Sequence, residues 1–152
     1  MGLDILAAYD GSAHGDRALE YACQLGSWNE GSVTAVYAVQ PDIYDAAKSD
    51  GLSNLSEEYR RQVLETIDEA EQRGQELLER AETVAAETDC ERIDTTLVYG
   101  DPANEIVAYA EKNAFDTIVV GHRERGERPA FPIGSVAQAI IERASVPVTV
   151  TR

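Results

Sequence analysis

Short apolar runs alternate along the chain with longer segments whose apolar residues recur at helical spacing. The runs Leu3–Tyr9 and Val33–Val39 are too short for helices and apolar on both faces, which is typical of central strands in a parallel sheet. Between them Ser12 is a good helix cap, the apolar positions from 18 to 25 have helical spacing, and Gly26 offers a stop. This opening segment predicts one β-α-β unit.

The same alternation continues to the end of the chain. A polar loop is expected from Gln40 to Asn54, and Ser56 then caps a long helix whose pattern continues through Gly74. The remaining predicted elements are a strand at Ile93–Tyr99, a helix capped by Asp101 with Pro102 at its first position, a strand at Thr117–Val120, a helix opened by Gly134 and Ser135, and a strand at Val146–Thr151.

Two of these strands carry signs of a sheet edge. Ile93–Tyr99 has one more polar face, and Pro147 in the last strand lacks an amide proton that could join a ladder. The order β-α-β-α-β-α-β-α-β predicts an open, doubly wound, five-stranded parallel sheet with helices on both faces. A length of 152 residues fits one domain spanning residues 1–152.

The charge balance limits the partners. There are 13 basic and 28 acidic residues, giving a net charge of -15, which argues against a nucleic-acid partner because such binding relies on Lys and Arg. The acids are scattered along helices, which favours a solvated surface over a site for a basic partner. No apolar run is long enough to span a bilayer, so no membrane association is expected. The N-terminus lacks a signal-peptide pattern, which predicts a cytoplasmic protein.

Cysteine and histidine show no familiar motif. Cys23 and Cys90 match neither a CxxC pair nor a disulfide framework, and both are interpreted as small buried residues. His14 and His122 have no spaced Cys or His companion, so no metal site is expected. Asp10, Ser12 and His14 are too close in one turn to orient as a hydrolase triad, and we assign no catalytic residue.

The candidate chemistry lies in two loops after strands. In open parallel sheets ligands bind at the carboxyl ends of the strands, where the strand order reverses. Asp10-Gly11-Ser12 follows the first strand, and residues 121–135 connect the fourth strand to the last helix, where the amides of Gly134, Ser135 and Val136 can form an anion cradle. Each feature also has a purely structural interpretation, as a helix cap or a helix start. Gly100-Asp101-Pro102 fits a turn and cap better than a ligand contact.

These motifs resemble the universal stress protein family over the whole chain. The resemblance rests on Asp10-Gly11-Ser12, the VYAV strand, the VYGDPANEI segment, the VVG strand end, Gly134-Ser135 and the closing VPVTV. It implies an adenine-nucleotide-α-hydrolase-like fold. The nucleotide-binding branch of the family carries G-x2-G-x9-G-[ST], and here Gly121 and Gly134-Ser135 have the matching separation.

The resemblance also implies a set of ligand contacts. Asp10 would hold the ribose hydroxyls of ATP, and Ala8 and Val39 would line the adenine pocket. Val120 and Gly121 would lie against the nucleoside. Gly134, Ser135 and Val136 would donate to phosphate. Independently of the resemblance, Arg123, Arg125 and Arg128 flank position 124, where their positive charges could contact phosphate directly or offset the charge of Glu124. Mg2+ would accompany the nucleotide, and any ATP hydrolysis would be slow because no catalytic base is evident.

Glu124 stands where the family motif has its second glycine. A carboxylate there repels phosphate, and a β-carbon opposes a glycine-only backbone conformation. The alternative function is therefore a dimeric stress-response interaction module that binds no nucleotide. A third alternative, an enzyme of the nucleotide α-hydrolase group, ranks last because residues 10–14 lack the serine-and-glycine-rich phosphate loop of such enzymes.

The last strand is also a candidate interface. The resemblance implies a homodimer in which the C-terminal strand VPVTVT pairs with its twin. A closed two-fold pairing protects an apolar edge strand from open-ended association.

Overall fold

The computed structural model describes residues 2–39, 57–88, 90, 93–122 and 134–152. These residues form five strands and four helices in the predicted order. The strands are β1 (Asp4–Ala8), β2 (Ser32–Val39), β3 (Asp94–Tyr99), β4 (Thr117–Gly121) and β5 (Val148–Thr151). The helices are α1 (Ala13–Trp28), α2 (Glu57–Glu87), α3 (Pro102–Lys112) and α4 (Ser135–Arg143).

The five strands form one parallel sheet in the order β3-β2-β1-β4-β5. The prediction of an open, doubly wound parallel sheet is therefore confirmed, and β3 and β5 occupy the two edges as their sequences indicated. Pro147, just before β5, takes part through its carbonyl, which accepts hydrogen bonds from the Ile118 amide at 3.0 Å and the Thr117 hydroxyl at 2.8 Å. A missing amide proton at Pro147 thus leaves this side of the ladder intact.

The sheet separates two hydrophobic clusters. On one face, Ile5 and Ala7 of β1 pack with residues of α1 and α2, and on the other, Leu6 packs with residues of α3 and α4. Successive side chains of a strand point to opposite faces, so a strand that is apolar throughout can supply both clusters. The apolar sequence of β1 is the direct cause of its central position.

Helix α1 ends later than predicted. Gly26 does not stop it: the helix continues to Trp28, and Asn29 is the C-cap. The Gly31 amide donates to the Gly26 carbonyl at 2.8 Å, and Glu30 adopts a positive φ of 57°, a Schellman arrangement in which glycine usually occupies the position of Glu30. Gly26 instead allows close packing, because a Cβ there would lie 3.0 Å from a methyl of Val33.

The other helix starts follow the sequence signals. Asp101 caps α3 by accepting the Asn104 amide at 3.0 Å, with Pro102 at the start of the helix. Helix α2 passes through Gly74 without interruption. The predicted loop from Gln40 to Asn54 and the predicted cap Ser56 lie outside the described residues. Within the described part of the chain, no helix is long and apolar enough to cross a membrane.

Candidate functional site

A cleft of about 320 Å3 opens at the carboxyl ends of β1 and β4. The sheet order places β2 on one side of β1 and β4 on the other, so the order reverses at this point. Open α/β sheets bind ligands in such a crevice. The lining comes from the ends of β1, β2 and β4 and from all four helices or the loops that precede them, with main contributions from Ala8, Tyr9, Asp10, His14, Tyr37, Arg73, Val120, Gly121, Gly134, Ser135 and Val136.

Asp10 organises the loop after β1. Its Oδ1 accepts hydrogen bonds from the Ser12 amide at 3.0 Å and the Ser12 hydroxyl at 2.5 Å. Ser12 Oγ in turn accepts the Gly15 amide at 3.0 Å and is the N-cap of α1. The helix cap is therefore Ser12. Asp10 is an exposed carboxylate at the cleft, and its hydrogen bonds from Ser12 fix its position.

Gly121, at the end of β4, is packed against α1. A Cβ on Gly121 would lie 2.5 Å from the carbonyl oxygen of His14 and 2.8 Å from its carbonyl carbon. Real side chains never approach a backbone so closely, and a backbone carbonyl cannot rotate away as a side chain can. This glycine is therefore required by the packing of α1 on β4, independently of any ligand.

The start of α4 differs from those of α1 and α3. Gly134 is its N-cap with φ 84° and ψ 149°, a conformation that is essentially restricted to glycine. Gly134 has no side chain to accept a hydrogen bond from the first amides of α4, so within the described residues this helix start is uncapped, whereas Ser12 and Asp101 cap α1 and α3. The uncapped amides lie at the cleft and carry the positive end of the helix dipole, so this helix start favours an anion.

Helix α2 forms a wall of the cleft that sequence reasoning missed. Ala70 and Arg73 of α2 line the cleft together with Tyr37 of β2. The close approach depends on Gly74, where a Cβ would lie 2.9 Å from the Tyr37 ring and 2.8 Å from a Leu97 methyl. The lone glycine inside an otherwise regular helical pattern was the available signal that α2 packs tightly on the sheet.

His14 presents an unusual polar atom to the same region. Its Nδ1 is buried and has no hydrogen-bond partner among the described residues, and His14 is one of the residues that line the cleft. A buried polar atom without a partner is costly, and such atoms commonly bind water or ligand. The geometry thus adds His14 to the cleft as a polar group, where the sequence suggested only a poor metal ligand.

A hydrogen-bond network of Tyr9, Asp16 and Arg80 lies beside the cleft. The buried Tyr9 hydroxyl donates to Asp16 Oδ1 at 2.6 Å, and Arg80 of α2 donates to Asp16 Oδ2 at 2.7 Å. Burial and the hydrogen bond to the Asp16 carboxylate raise the pKa of Tyr9 well above its usual range. The hydrogen bond from Arg80 to Asp16 raises the pKa of Arg80 as well. This network joins β1, α1 and α2, the elements on one side of the cleft.

Comparison with known proteins agrees with this architecture. The model of the universal stress protein family matches residues 3–152 of the chain. The chain belongs to the universal stress protein family. Among curated universal stress proteins, MJ0531 of Methanocaldococcus jannaschii is 30% identical over 148 residues, covering 97% of this chain and 81% of its own. YxiE of Bacillus subtilis is 26% identical over 148 residues, covering 97% of both chains.

Solved universal stress protein structures share the fold. UspA from Lactobacillus plantarum superposes with a TM-score of 0.79 at 21% identity, covering 99% of this chain and 97% of its own. A universal stress protein in complex with cAMP superposes with a TM-score of 0.68 at 19% identity, with coverage of 99% and 97%. At these identities the likeness shows the fold of this universal stress protein and leaves its ligand to be argued from its own residues.

Most of the predicted site residues meet at the cleft. Val39 is buried and is not among the lining residues, a position that Tyr37 and Ala38 take instead. Arg123 lies outside the described residues. The seven that line the cleft are Ala8, Asp10, Val120, Gly121, Gly134, Ser135 and Val136.

Proposed function

We propose that this universal stress protein binds an adenine nucleotide, with ATP as the expected ligand, and acts as a stress-response regulator. The observation that carries the proposal is the uncapped start of α4 facing the same cleft as the Asp10 carboxylate. The start of α4 is a site for an anion, and the Asp10 carboxylate can accept hydrogen bonds from hydroxyl groups. A nucleotide carries both an anionic phosphate and ribose hydroxyls.

The phosphates are assigned to the start of α4. The amides of Ser135 and Val136 would donate to phosphate oxygens, and Gly134 gives the chain its glycine-only turn into the helix. Arg73, on the α2 wall, is a cation of the cleft lining that can offset phosphate charge. In a chain with a net charge of -15, such local groups must overcome the general repulsion of an anion.

The nucleoside is assigned to the apolar part of the cleft. Ala8 and Val120 lie at the ends of the two strands that flank the reversal point, and Asp10 follows directly as the acceptor for ribose hydroxyls. The ring of Tyr37 lines the cleft where an adenine could stack. A universal stress protein of the same fold is solved with cAMP, which supports a purine nucleotide as the ligand class.

Mg2+ belongs to the proposal only as a companion of the phosphates, since that is how this ion is generally carried. The described cleft residues offer a histidine and a carboxylate. The sequence shows no catalytic base or arginine placed by a motif, as fast phosphoryl transfer would require. The proposed activity is therefore binding, with hydrolysis slow if it occurs.

Glu124 favours a second candidate function. It occupies the second glycine position of the family motif, where its charge opposes phosphate. In this alternative the protein is a dimeric interaction module in the stress response that has lost the ability to bind a nucleotide. Residue 124 lies outside the described residues, so its sequence position alone supports this candidate.

A homodimer through β5 accompanies both candidates. Strand β5 is a sheet edge, and all four of its residues are only partly buried in the single chain. An edge strand of this kind is suited to pair with a copy of itself. Sedimentation of the purified protein tests this part: a mass of one chain at all concentrations contradicts it.

Isothermal titration with MgATP tests the proposed function. We expect saturable binding by the unaltered protein and its loss in Gly134→Val, because valine cannot adopt the Gly134 backbone conformation without strain. Asp10→Ala should weaken binding by roughly 10-fold or more, the usual effect of losing a hydrogen bond to a charged group.

Asp116→Asn is the matched control. Asp116 is also an aspartate that accepts a backbone amide, that of Asp4 at 2.7 Å, but it precedes β4 at the opposite end of the sheet. It should bind MgATP like the unaltered protein. If the unaltered protein binds no nucleotide and Glu124→Gly does, the interaction module is the better description.

A further inference from the structure

The two cysteines meet in the fold although they are far apart in sequence. Cys23 lies on α1, and Cys90 lies in the connection between α2 and β3. Cys90 packs against the hydrophobic cluster that contains Cys23, and the side chain of Cys90 is close enough to be one of the causes that raise the pKa of Cys23, so the two thiols are neighbours. No disulfide joins these two cysteines in the described structure. The prediction that both are small buried residues is confirmed for Cys23 and wrong for Cys90, which is only partly buried, and their proximity is a product of tertiary packing.

The two thiols differ in access. Cys23 is only 2% exposed, whereas Cys90 is partly buried and retains some exposure to solvent. A small oxidant in solvent can therefore reach Cys90 first, because Cys23 is buried next to it. An accessible thiol next to a second thiol is the arrangement in which oxidation stops at a disulfide.

We propose that Cys23 and Cys90 form a redox-active dithiol that a peroxide converts into an intramolecular disulfide. The Cys90 sulfur attacks one peroxide oxygen and breaks the O–O bond, giving a sulfenic acid and one water when hydrogen peroxide is the oxidant. The Cys23 sulfur then attacks the Cys90 sulfur, and the sulfenic oxygen leaves as a second water. Two thiols and one peroxide thus give one disulfide and two waters.

The environment of Cys23 suits the second role and opposes the first. Burial, followed by the hydrogen bond and charge of Cys90, raises the pKa of Cys23 to about 12, so Cys23 is a poor initial nucleophile. Cys23 is suited to the later step because the Cys90 sulfur already lies beside it, so the second reaction needs no approach from solvent.

The disulfide would tie two helices together. It would link the middle of α1 to the chain just beyond α2, closing a long loop that contains β2 and all of α2. Crosslinks of long loops stabilise chiefly by restricting the unfolded chain. We expect the oxidised protein to unfold at a Tm higher by roughly 5–15 °C than the reduced protein.

Intact-mass measurement of the full chain provides the test. The protein is treated with hydrogen peroxide or with dithiothreitol, unfolded, and exposed to N-ethylmaleimide. The reduced sample should take up two maleimides, and the oxidised monomer should take up none and be lighter by two hydrogen atoms. Dithiothreitol should reverse the change, and a non-reduced digest should contain the peptides of Cys23 and Cys90 joined.

Cys90→Ser is the principal control, because the position of Cys90 is only partly buried and tolerates the change. It should remain folded, take up one maleimide and show no peroxide-dependent rise in Tm. Cys23→Ala gives a second control, in which Cys90 should progress to acids heavier by two or three oxygen atoms. The proposal is overturned if Cys90 of the unaltered protein gains oxygen without forming the link, if it links two chains, or if both thiols survive peroxide.

Discussion

The carbonyl of His14 faces the α-carbon of Gly121 so closely that a Cβ would lie 2.5 Å from the carbonyl oxygen. The first glycine of the family motif is thus explained by the contact between α1 and β4. A motif glycine such as Gly121 can be required for packing as well as for ligand binding. The packing role predicts that a larger residue lowers stability, and the ligand role predicts that it lowers affinity.

Gly121→Ala should therefore destabilise the protein without any ligand. We expect a loss of about 1–3 kcal/mol in the free energy of unfolding, the usual cost of inserting a methyl group into a closed contact. Urea unfolding of the ligand-free protein measures it. An unchanged urea midpoint would show that α1 can move away and that Gly121 is kept for the ligand alone.

Tyr9→Phe should change how stability depends on pH. The raised pKa of Tyr9 means that the folded protein holds this proton more tightly than the unfolded chain. The resulting stability is complete below the unfolded value of about 10 and decreases as the pH rises beyond it. The variant should lose about 0.5–1.5 kcal/mol at neutral pH with its hydrogen bond to Asp16.

Urea unfolding of both proteins between neutral and alkaline pH provides the measurement. The difference in stability between the unaltered protein and Tyr9→Phe should shrink above pH ~10, since only the unaltered protein has this proton to lose. Other tyrosines and the lysines titrate in both proteins and cancel in the difference. A difference that stays constant to the highest pH would mean that Tyr9 is not held by Asp16 as described.

Ser12→Ala and Asp10→Ala should have different consequences. Both residues line the cleft, but the Ser12 hydroxyl is engaged in capping α1. Its loss should therefore cost about 1 kcal/mol of stability and reduce nucleotide affinity only a little. Asp10 has an exposed carboxylate, so its loss should reduce affinity more than stability. Paired unfolding and binding titrations separate the two. Equal effects of both variants on affinity would indicate that the loop acts only as a scaffold.

Asp101 should prove to be a structural residue. It accepts the Asn104 amide at 3.0 Å and a hydrogen bond from Arg143 Nη1 at 3.1 Å. Asp101→Ala should cost about 1 kcal/mol, and Asp101→Asn should cost less because an amide oxygen can still cap α3. Neither should alter nucleotide affinity by more than about twofold, since Asp101 does not line the cleft. A larger effect in Asp101→Asn would place it in the binding site.

The sequence predicted the elements and the sheet edges because these follow from local periodicity. Helix caps such as Asp101 were readable for the same reason, since a cap is defined by residues a few positions apart. The end of α1 was missed because Glu30 occupies a position where glycine is the usual signal. The hydrogen bond there closes on Gly31, five residues beyond the glycine that was taken as the stop.

The composition of the cleft was only half predictable. Asp10 and Gly134 follow directly from strand ends and helix starts, but Arg73 and Tyr37 depend on how α2 lies across β2. Tyr37 and Val39 are two residues apart and share one face of β2, so periodicity does not tell which of them borders the cleft. The contact between Cys23 and Cys90 likewise depends on long-range packing that no local spacing reveals.

Amide chemical shifts of the 15N-labelled protein, recorded while MgATP is added, test the central claim most directly. If the cleft is the nucleotide site, the amides of Asp10, Gly121, Ser135 and Val136 should shift in a saturable way. The amides of Gly31 and Asp116, at the opposite end of the sheet, should stay in place. No shifts at saturating MgATP, or shifts confined to another surface, would contradict a nucleotide site at the ends of β1 and β4.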